Sequence, residues 1–272
     1  MDNKIKINLG KVQETLLLPL WGRAVESEKK NPRLIDIKAS EIIHEIEYDF
    51  STITNNINWM SQFSWVVRCI HIDNAIFEFI KNHPHATIVN IGCGLDTTFD
   101  RVDNGRILFY ELDLPDVISL RTNFFPENER RKSISCSFLE DEWLNQLRPE
   151  NGILFIAAGV FYYFTEIQIK NFFISLANRF PGSELFFDCS SRMGMRLANK
   201  RVIKAGGMDE TAILKWGIPK AKIIEDWDNR IHLLQEFPMF YRMKKGYSIG
   251  HRFGLWMSDF LNIMSMVHLR LE

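Results

Sequence analysis

The sequence predicts an α/β fold, an open and mostly parallel sheet with helices on both faces, behind a helical N-terminal segment. Three observations predict it. Up to about residue 82, apolar residues recur at three- and four-residue steps. From residue 83, short apolar runs alternate with longer amphipathic stretches, and the first run ends in the glycine turn Gly92-Cys93-Gly94. Strands alternating with helices in this way build a parallel sheet covered on two sides.

Ile42, Ile43 and Ile46 mark one N-terminal helix. A longer one runs from about Phe63 to Ile80 and carries Trp65, Val66, Ile70, Ile76 and Phe77. His83-Pro84 ends it, because the residue before proline disfavours helical backbone. Ala86 to Ile91, Arg106 to Leu112, Ser133 to Phe138, Gly152 to Ala158 and Glu184 to Phe187 are the next strands. Thr165 and Gln168 form a capping box that opens a helix, and Pro181-Gly182 stops it. Two further strands, His232 to Phe237 and Met266 to Leu271, bring the expected number to seven. In the last of them Val267, Leu269 and Leu271 alternate with His268 and Arg270, which suits a half-exposed strand near a sheet edge. The segment Ser190 to Asp226 fits no strand–helix alternation. It holds Arg192, Met193, Met195, Gly206-Gly207 and Trp216, and reads as a lid over an apolar small molecule.

Composition narrows the partners. The formal net charge of -1 leaves no electrostatic footprint for nucleic acid or an anionic membrane. The run Arg130-Arg131-Lys132 is flanked by Glu127 and Glu129 and reads as solvated surface. The cysteines (Cys69, Cys93, Cys136, Cys189) are too widely spaced for a zinc or disulfide framework, so no metal is expected. The start Met1-Asp2-Asn3-Lys4 is polar, and no apolar run reaches the roughly 20 residues of a membrane span. A cytoplasmic protein with a small-molecule partner is expected. Oligomeric state is not readable.

A ligand in an open parallel sheet binds at the carboxyl ends of the strands. Gly92 and Gly94 let the backbone approach such a ligand closely. About 20 residues on, Glu111 and Asp113 close the second strand, where a carboxylate accepts the hydroxyl protons of a ribose. This pattern suits a dinucleotide or S-adenosylmethionine. Thr97 stands where a dinucleotide site has its third glycine, and Asp96 would repel a diphosphate at the start of the next helix. A carboxylate at Asp96 can instead meet an ammonium, and Pro115 after the second strand suits a new helix. These details favour S-adenosylmethionine. A nicotinamide-dependent oxidoreductase and a non-catalytic cofactor binder are the rival readings.

The stretches TLLLPLWGRAVES, LIDIKA, YDF, WVVRCIHID, VNIGCGLDTTF, FYELDLPDVI and IAAGVFYYF run in order from about Thr15 to Phe164. In them the chain resembles the leucine carboxyl methyltransferase family, and most closely its bacterial branch of polyketide O-methyltransferases. The resemblance implies a class I (Rossmann-like) methyltransferase fold with extra N-terminal helices, a lid insertion, and a last strand inserted antiparallel. It implies one domain over residues 1–272: a helical cover to about 82, a cofactor-binding half over 83–189, the lid over 190–226 and C-terminal strands over 227–272. Arg68 would pair with the carboxylate of the cofactor's methionine moiety, through the fork that a guanidinium offers. Arg23 is a second candidate for that end. Gly92, Gly94 and Ala158 would line the cofactor, Asp113 would hold the ribose beside Glu111, and Ser137 and Phe138 would flank the adenine. Where the phosphatase-directed branch has a glutamate after the fourth strand, this chain reads Ala157-Ala158-Gly159, which speaks against phosphatase methylation. His71, Tyr163, Met193 and Trp216 are the candidates toward the substrate. No histidine stands in a catalytic constellation, so an acceptor that is already ionised, a carboxylate, is favoured over a phenol.

Overall fold

A computed structural model describes residues 4–149 and 151–272. The polar start Met1-Asp2-Asn3 lies outside the described residues. Four helices come first: α1 (Leu17–Ser27), α2 (Ile37–Glu45), α3 (Ser51–Asn56) and the long α4 (Trp59–Asn82). The side chains of Asp36 and Asn58 cap α2 and α4, each accepting a backbone N–H from the first turn. The α4 helix stops at His83, one residue before Pro84.

Seven strands follow: β1 (Thr87–Ile91), β2 (Leu108–Asp113), β3 (Arg131–Ser135), β4 (Ile153–Ala157), β5 (Ser183–Ser190), β6 (Ile231–Pro238) and β7 (Met264–Leu271). They lie in the order β3-β2-β1-β4-β5-β7-β6. The pairs from β3 through β5 are parallel, and β7 runs antiparallel to both its neighbours. The helices between them are α5 (Thr98–Val102), α6 (Pro115–Arg121), α7 (Glu166–Arg179), α8 (Arg192–Ala198) and α9 (Ile249–Phe260). Thr165 and Gln168 form the capping box of α7.

Successive strand residues point to opposite faces, and both faces are buried. Val89, Ile91, Phe155 and Phe187 pack with Ile169, Phe173 and Leu176 of α7 on one side. Ile88, Phe109, Leu154 and Ile156 pack with Val66, Val67, Ile72 and Ile76 of α4 on the other. Continuous apolar runs are what a strand buried on two sides needs.

Two expectations are corrected. β7 stands near the sheet edge as expected, next to the edge strand β6, but it is not half-exposed: it is paired along both sides, by β5 and β6, and most of its residues are buried. Its polar positions arise because His268 and Arg270 both bind Glu184 of β5, at 2.8 and 3.0 Å. Arg131 is not a solvated residue of a basic run. It is buried in β3, with its guanidinium on Glu111, and this moves β3 two residues ahead of its predicted start.

Residues 190–226 form α8, a π-type turn over Asn199–Lys204 and two short 3-10 turns, Glu210–Ala212 and Ala221–Trp227. Ile203, Met208 and Ala212 pack on Leu18, Trp21, Ile53 and Trp65, so this segment rests on the N-terminal helices.

Candidate cofactor and active site

The carboxyl ends of β1, β2, β4 and β5 open into a cavity of about 320 Å³. Its floor is the glycine turn. Gly92 (φ +62°) and Gly94 (φ +49°) both adopt the left-handed conformation that glycine tolerates. A Cβ on Gly92 would stand 2.6 Å from Val160 Cγ2. Asp113, ending β2, holds the turn: its Oδ2 accepts from Gly94 N at 2.7 Å and its Oδ1 from Leu114 N at 2.8 Å. Burial pushes the Asp113 carboxyl up, against the pull of these two N–H donors.

Arg68 enters from α4. Its Nη1 donates to Asp188 Oδ2 at 3.0 Å, while its buried Nε has no partner. Asp188, near the carboxyl end of β5, also accepts from Tyr162 Oη (2.9 Å) and Gly159 N (2.7 Å). Gly159 takes the left-handed conformation (φ +75°) that favours glycine, and a Cβ there would lie 2.6 Å from Arg68 Nη1 and displace that side chain.

Several other polar groups of the wall are engaged within the protein. Asp96 caps the start of α5, accepting from Thr97 N, Thr98 N, Thr98 Oγ1 and Asn90 Nδ2. Burial pushes its carboxyl up, but the Arg101 and Arg23 charges outweigh that and hold it well below the usual carboxylate range. Arg23 donates to Asp36 Oδ2 and Leu95 O, both at 2.8 Å, which ties α1 to the glycine turn. Tyr163 Oη donates to Thr15 Oγ1 at 3.0 Å and fastens the segment before α1 over the cavity. Burial raises the Tyr163 hydroxyl, and burial and Asp188 raise that of Tyr162.

Of the residues singled out in the sequence, Arg23, Arg68, Gly92, Gly94, Asp96, Asp113, Ser137, Phe138, Ala158 and Tyr163 line this one cavity. Four do not. Glu111 lies one strand pleat behind Asp113, beneath α5 and α6, with its carboxylate on Arg121 and Arg131. His71 is a turn beyond Arg68 on α4; the spacing carries it past the cavity, where its Nε2 meets Met239 O at 2.8 Å. Burial lowers its pKa, against the pull of that carbonyl. Met193 points to solvent, and Trp216 is buried among Phe161, Phe187 and Trp227. From the 190–226 segment, Ala198, Val202, Ile203 and Leu214 reach the cavity instead. Sequence reasoning missed Asp188 and Tyr162. An aspartate within the apolar run LFFDCS was the available signal, since a buried carboxylate needs a partner.

A model of the leucine carboxyl methyltransferase family matches residues 17–177, well over half of the chain. The chain belongs to that family. It is a methyltransferase, and S-adenosylmethionine is its cofactor. Over 221 residues it is 29% identical to the tetracenomycin polyketide synthesis O-methyltransferase of Streptomyces glaucescens, covering 80% of each chain. Over 216 residues it is 28% identical to an S-adenosyl-L-methionine-dependent methyltransferase of Gibberella zeae, covering 72% of each. The fold of the methyltransferase is similar to that of a SAM-dependent methyltransferase from Anabaena variabilis (TM-score 0.54, 10% identity, covering 100% of this chain and 99% of that one). It is also similar to a duf574 family protein from Streptomyces avermitilis (TM-score 0.57, 10% identity, covering 93% and 97%). The nicotinamide reading is thereby set aside.

Proposed function

We propose that the methyltransferase esterifies a carboxylate of an apolar small molecule. One observation carries the choice of acceptor: among the described residues no histidine lines the cavity, and its carboxylates are already engaged by donors. Both tyrosine hydroxyls are raised, and burial pushes the Cys69 thiol up to about 11. Asp96 and Asp113 have their oxygens engaged by N–H and O–H donors. A carboxylic acid, with a pKa near about 4, arrives already ionised, whereas a phenol near about 10 needs a base. Leu16, Leu18, Trp65, Ile203, Leu214 and Met264 supply apolar walls. The O-methyltransferase relative supports oxygen as the acceptor atom.

The cofactor supplies an electrophilic methyl on a sulfonium. The chain's own contribution is binding and alignment, which can supply on the order of 7–11 kcal/mol. Arg68, with its spare buried Nε, is the group that would hold the cofactor's carboxylate. Asp113 would hold the ribose, and Ser137 and Phe138 the adenine. Arg23 and Asp96 serve behind the turn by fixing its shape. Tyr163 and Thr15, with the 190–226 segment as lid, exclude water from the reacting atoms. A net charge of -1 supports a small molecule over nucleic acid as partner, and the free cysteines support a reducing, cytoplasmic setting.

With a panel of aryl and alkyl carboxylic acids, kcat/KM is expected to stay flat from about pH 6 to 9, because the acceptor ionises well below that range. Turnover of phenols alone, with a bell-shaped profile, would sink the carboxylate assignment. Asp113→Ala is expected to weaken S-adenosylmethionine at least about tenfold, since hydrogen bonds to a charged acceptor contribute roughly 1.5–3 kcal/mol each. Unchanged affinity by calorimetry would mean that the ribose lies elsewhere.

A further inference from the structure

The α9 helix is amphipathic the wrong way round. Leu255 faces the core and is fully buried, yet Ile249 (85% exposed), Phe253 (59%), Trp256 (48%) and Phe260 (69%) face outward. Their spacing of four, three and four residues places them in one stripe, about 16 Å long at the rise of an α-helix. Trp256 stacks on Phe260 at 5.2 Å and sits 6.0 Å from Phe253, so the stripe is a continuous aromatic ridge. Leaving such a ridge in water is unfavourable, and exposed patches of this kind mark an interaction surface.

The charges beside the ridge identify the partner. Residues 241–260 contain Arg242, Lys244, Lys245 and Arg252 but one carboxylate, Asp259, which is taken by Lys244. Among the described residues Arg242, Lys245 and Arg252 make no ion pair, whereas the chain as a whole carries -1. The cations are thus concentrated in the same short chain segment as the exposed aromatic groups. A second copy of the chain would meet this face with the same face in a two-fold contact, like charge against like, with no free carboxylate in the segment to answer. An aromatic ridge flanked by unpaired Lys and Arg is instead the pattern of a helix that lies in a lipid–water interface.

We propose that α9 docks the methyltransferase onto an anionic lipid surface, with Phe253, Trp256 and Phe260 entering the headgroup boundary and Arg242, Lys245 and Arg252 facing the lipid phosphates. The whole-chain charge conceals this surface, which is why the composition argued against a membrane. No helix among the described residues is long and apolar enough to cross one, so the contact is peripheral. Four residues after Phe260, Met264 lines the cavity. Docking therefore brings the acceptor pocket close to the bilayer.

Vesicle flotation of the full chain tests this. Vesicles of phosphatidylcholine with phosphatidylglycerol should carry the protein, and those of phosphatidylcholine alone should not. Raising the salt to 1 M, where charges are screened within about 3 Å, should release it. Phe253→Gln/Trp256→Gln/Phe260→Gln should abolish flotation while circular dichroism stays unchanged. Arg242→Ser/Lys245→Ser/Arg252→Ser should weaken it on the order of a hundredfold, about fivefold per cation. Should the apolar variant misfold, this charge variant, all of whose changes are at exposed positions, decides alone. Absence of binding to the anionic vesicles, equal binding to neutral ones, or a solution dimer dissolved by the apolar variant without any vesicle binding would each overturn the assignment.

Discussion

Glu111→Gln is expected to destabilise the fold by about 3–5 kcal/mol, the range for removing one charge from a buried ion pair. Glu111, Arg121 and Arg131 are all nearly inaccessible. Glu111 accepts from Arg121 Nε at 2.9 Å and from Arg131 Nη2 at 2.8 Å, besides a shorter contact with Arg121 Nη2. Both guanidinium groups lie over the Phe125 ring, at 4.1 and 4.5 Å, and Arg121 also donates to Gly94 O. Glutamine keeps the shape but leaves two buried cations around one neutral amide, and among the described residues only Arg131 retains a carboxylate partner, Asp100 at 3.2 Å. Burial alone would raise the Glu111 carboxyl, yet Arg121 and Arg131 outweigh it and hold the group below its ordinary range. Its contribution is therefore complete above the unfolded value, near about pH 4.3, and is lost as the pH falls through the lower folded value. The variant should consequently lose the part of the wild type's acid sensitivity that belongs to this group. Denaturant titrations of both proteins at pH 7 and pH 3 check this. A loss under about 1 kcal/mol at pH 7 would show that the cluster contributes little beyond packing.

Arg68→Lys is expected to weaken S-adenosylmethionine by about 2–5 kcal/mol, at least a thirtyfold change in Kd. Lysine keeps the charge but loses the planar fork, which reaches Asp188 and which we propose reaches the cofactor as well. Asp188→Asn should act in the same direction. It removes the charge that Arg68, Tyr162 and Gly159 share, so the fork is no longer held facing the cavity. Calorimetry with a parallel melting curve separates binding from folding. A Kd within threefold of wild type for Arg68→Lys would refute the assignment of this arginine to the cofactor.

The fold was largely legible, because periodicity reports what packing needs. Strands buried on both faces read as continuous apolar runs, and α4 showed its core-facing residues at helical spacing. Strand β7 was recognised and set near an edge but read as half-exposed, since the partner of its polar residues, Glu184, lies more than 80 residues away. The turn, Asp113 and Arg68 were legible because their chemistry is local to a strand end or a helix face. Glu111 was not distinguishable from Asp113. The two share a face of β2, and only the approach of Arg121 and Arg131 from other elements draws one away from the cavity. Asp188 went unnoticed for the converse reason: its partners come from α4 and from the loop after β4.

The position of β7 dictates the order in which the sheet can be built. β6 precedes it in the chain but pairs with β7 alone, and one long side of β5 is likewise open until β7 is inserted. β6 can be completed by β7, the next strand in the chain, but β5 cannot be completed by β6, its next strand: its open side is filled only by β7. The β5–β7 ladder must therefore wait for a non-local pairing that costs loop-closure entropy. During refolding, the eight residues of β5, buried in the finished protein, present an open edge with the apolar run Leu185–Phe187 at its centre. Dilute, cool conditions should thus favour recovery, and intermolecular pairing along β5 is the competing route that concentration would promote.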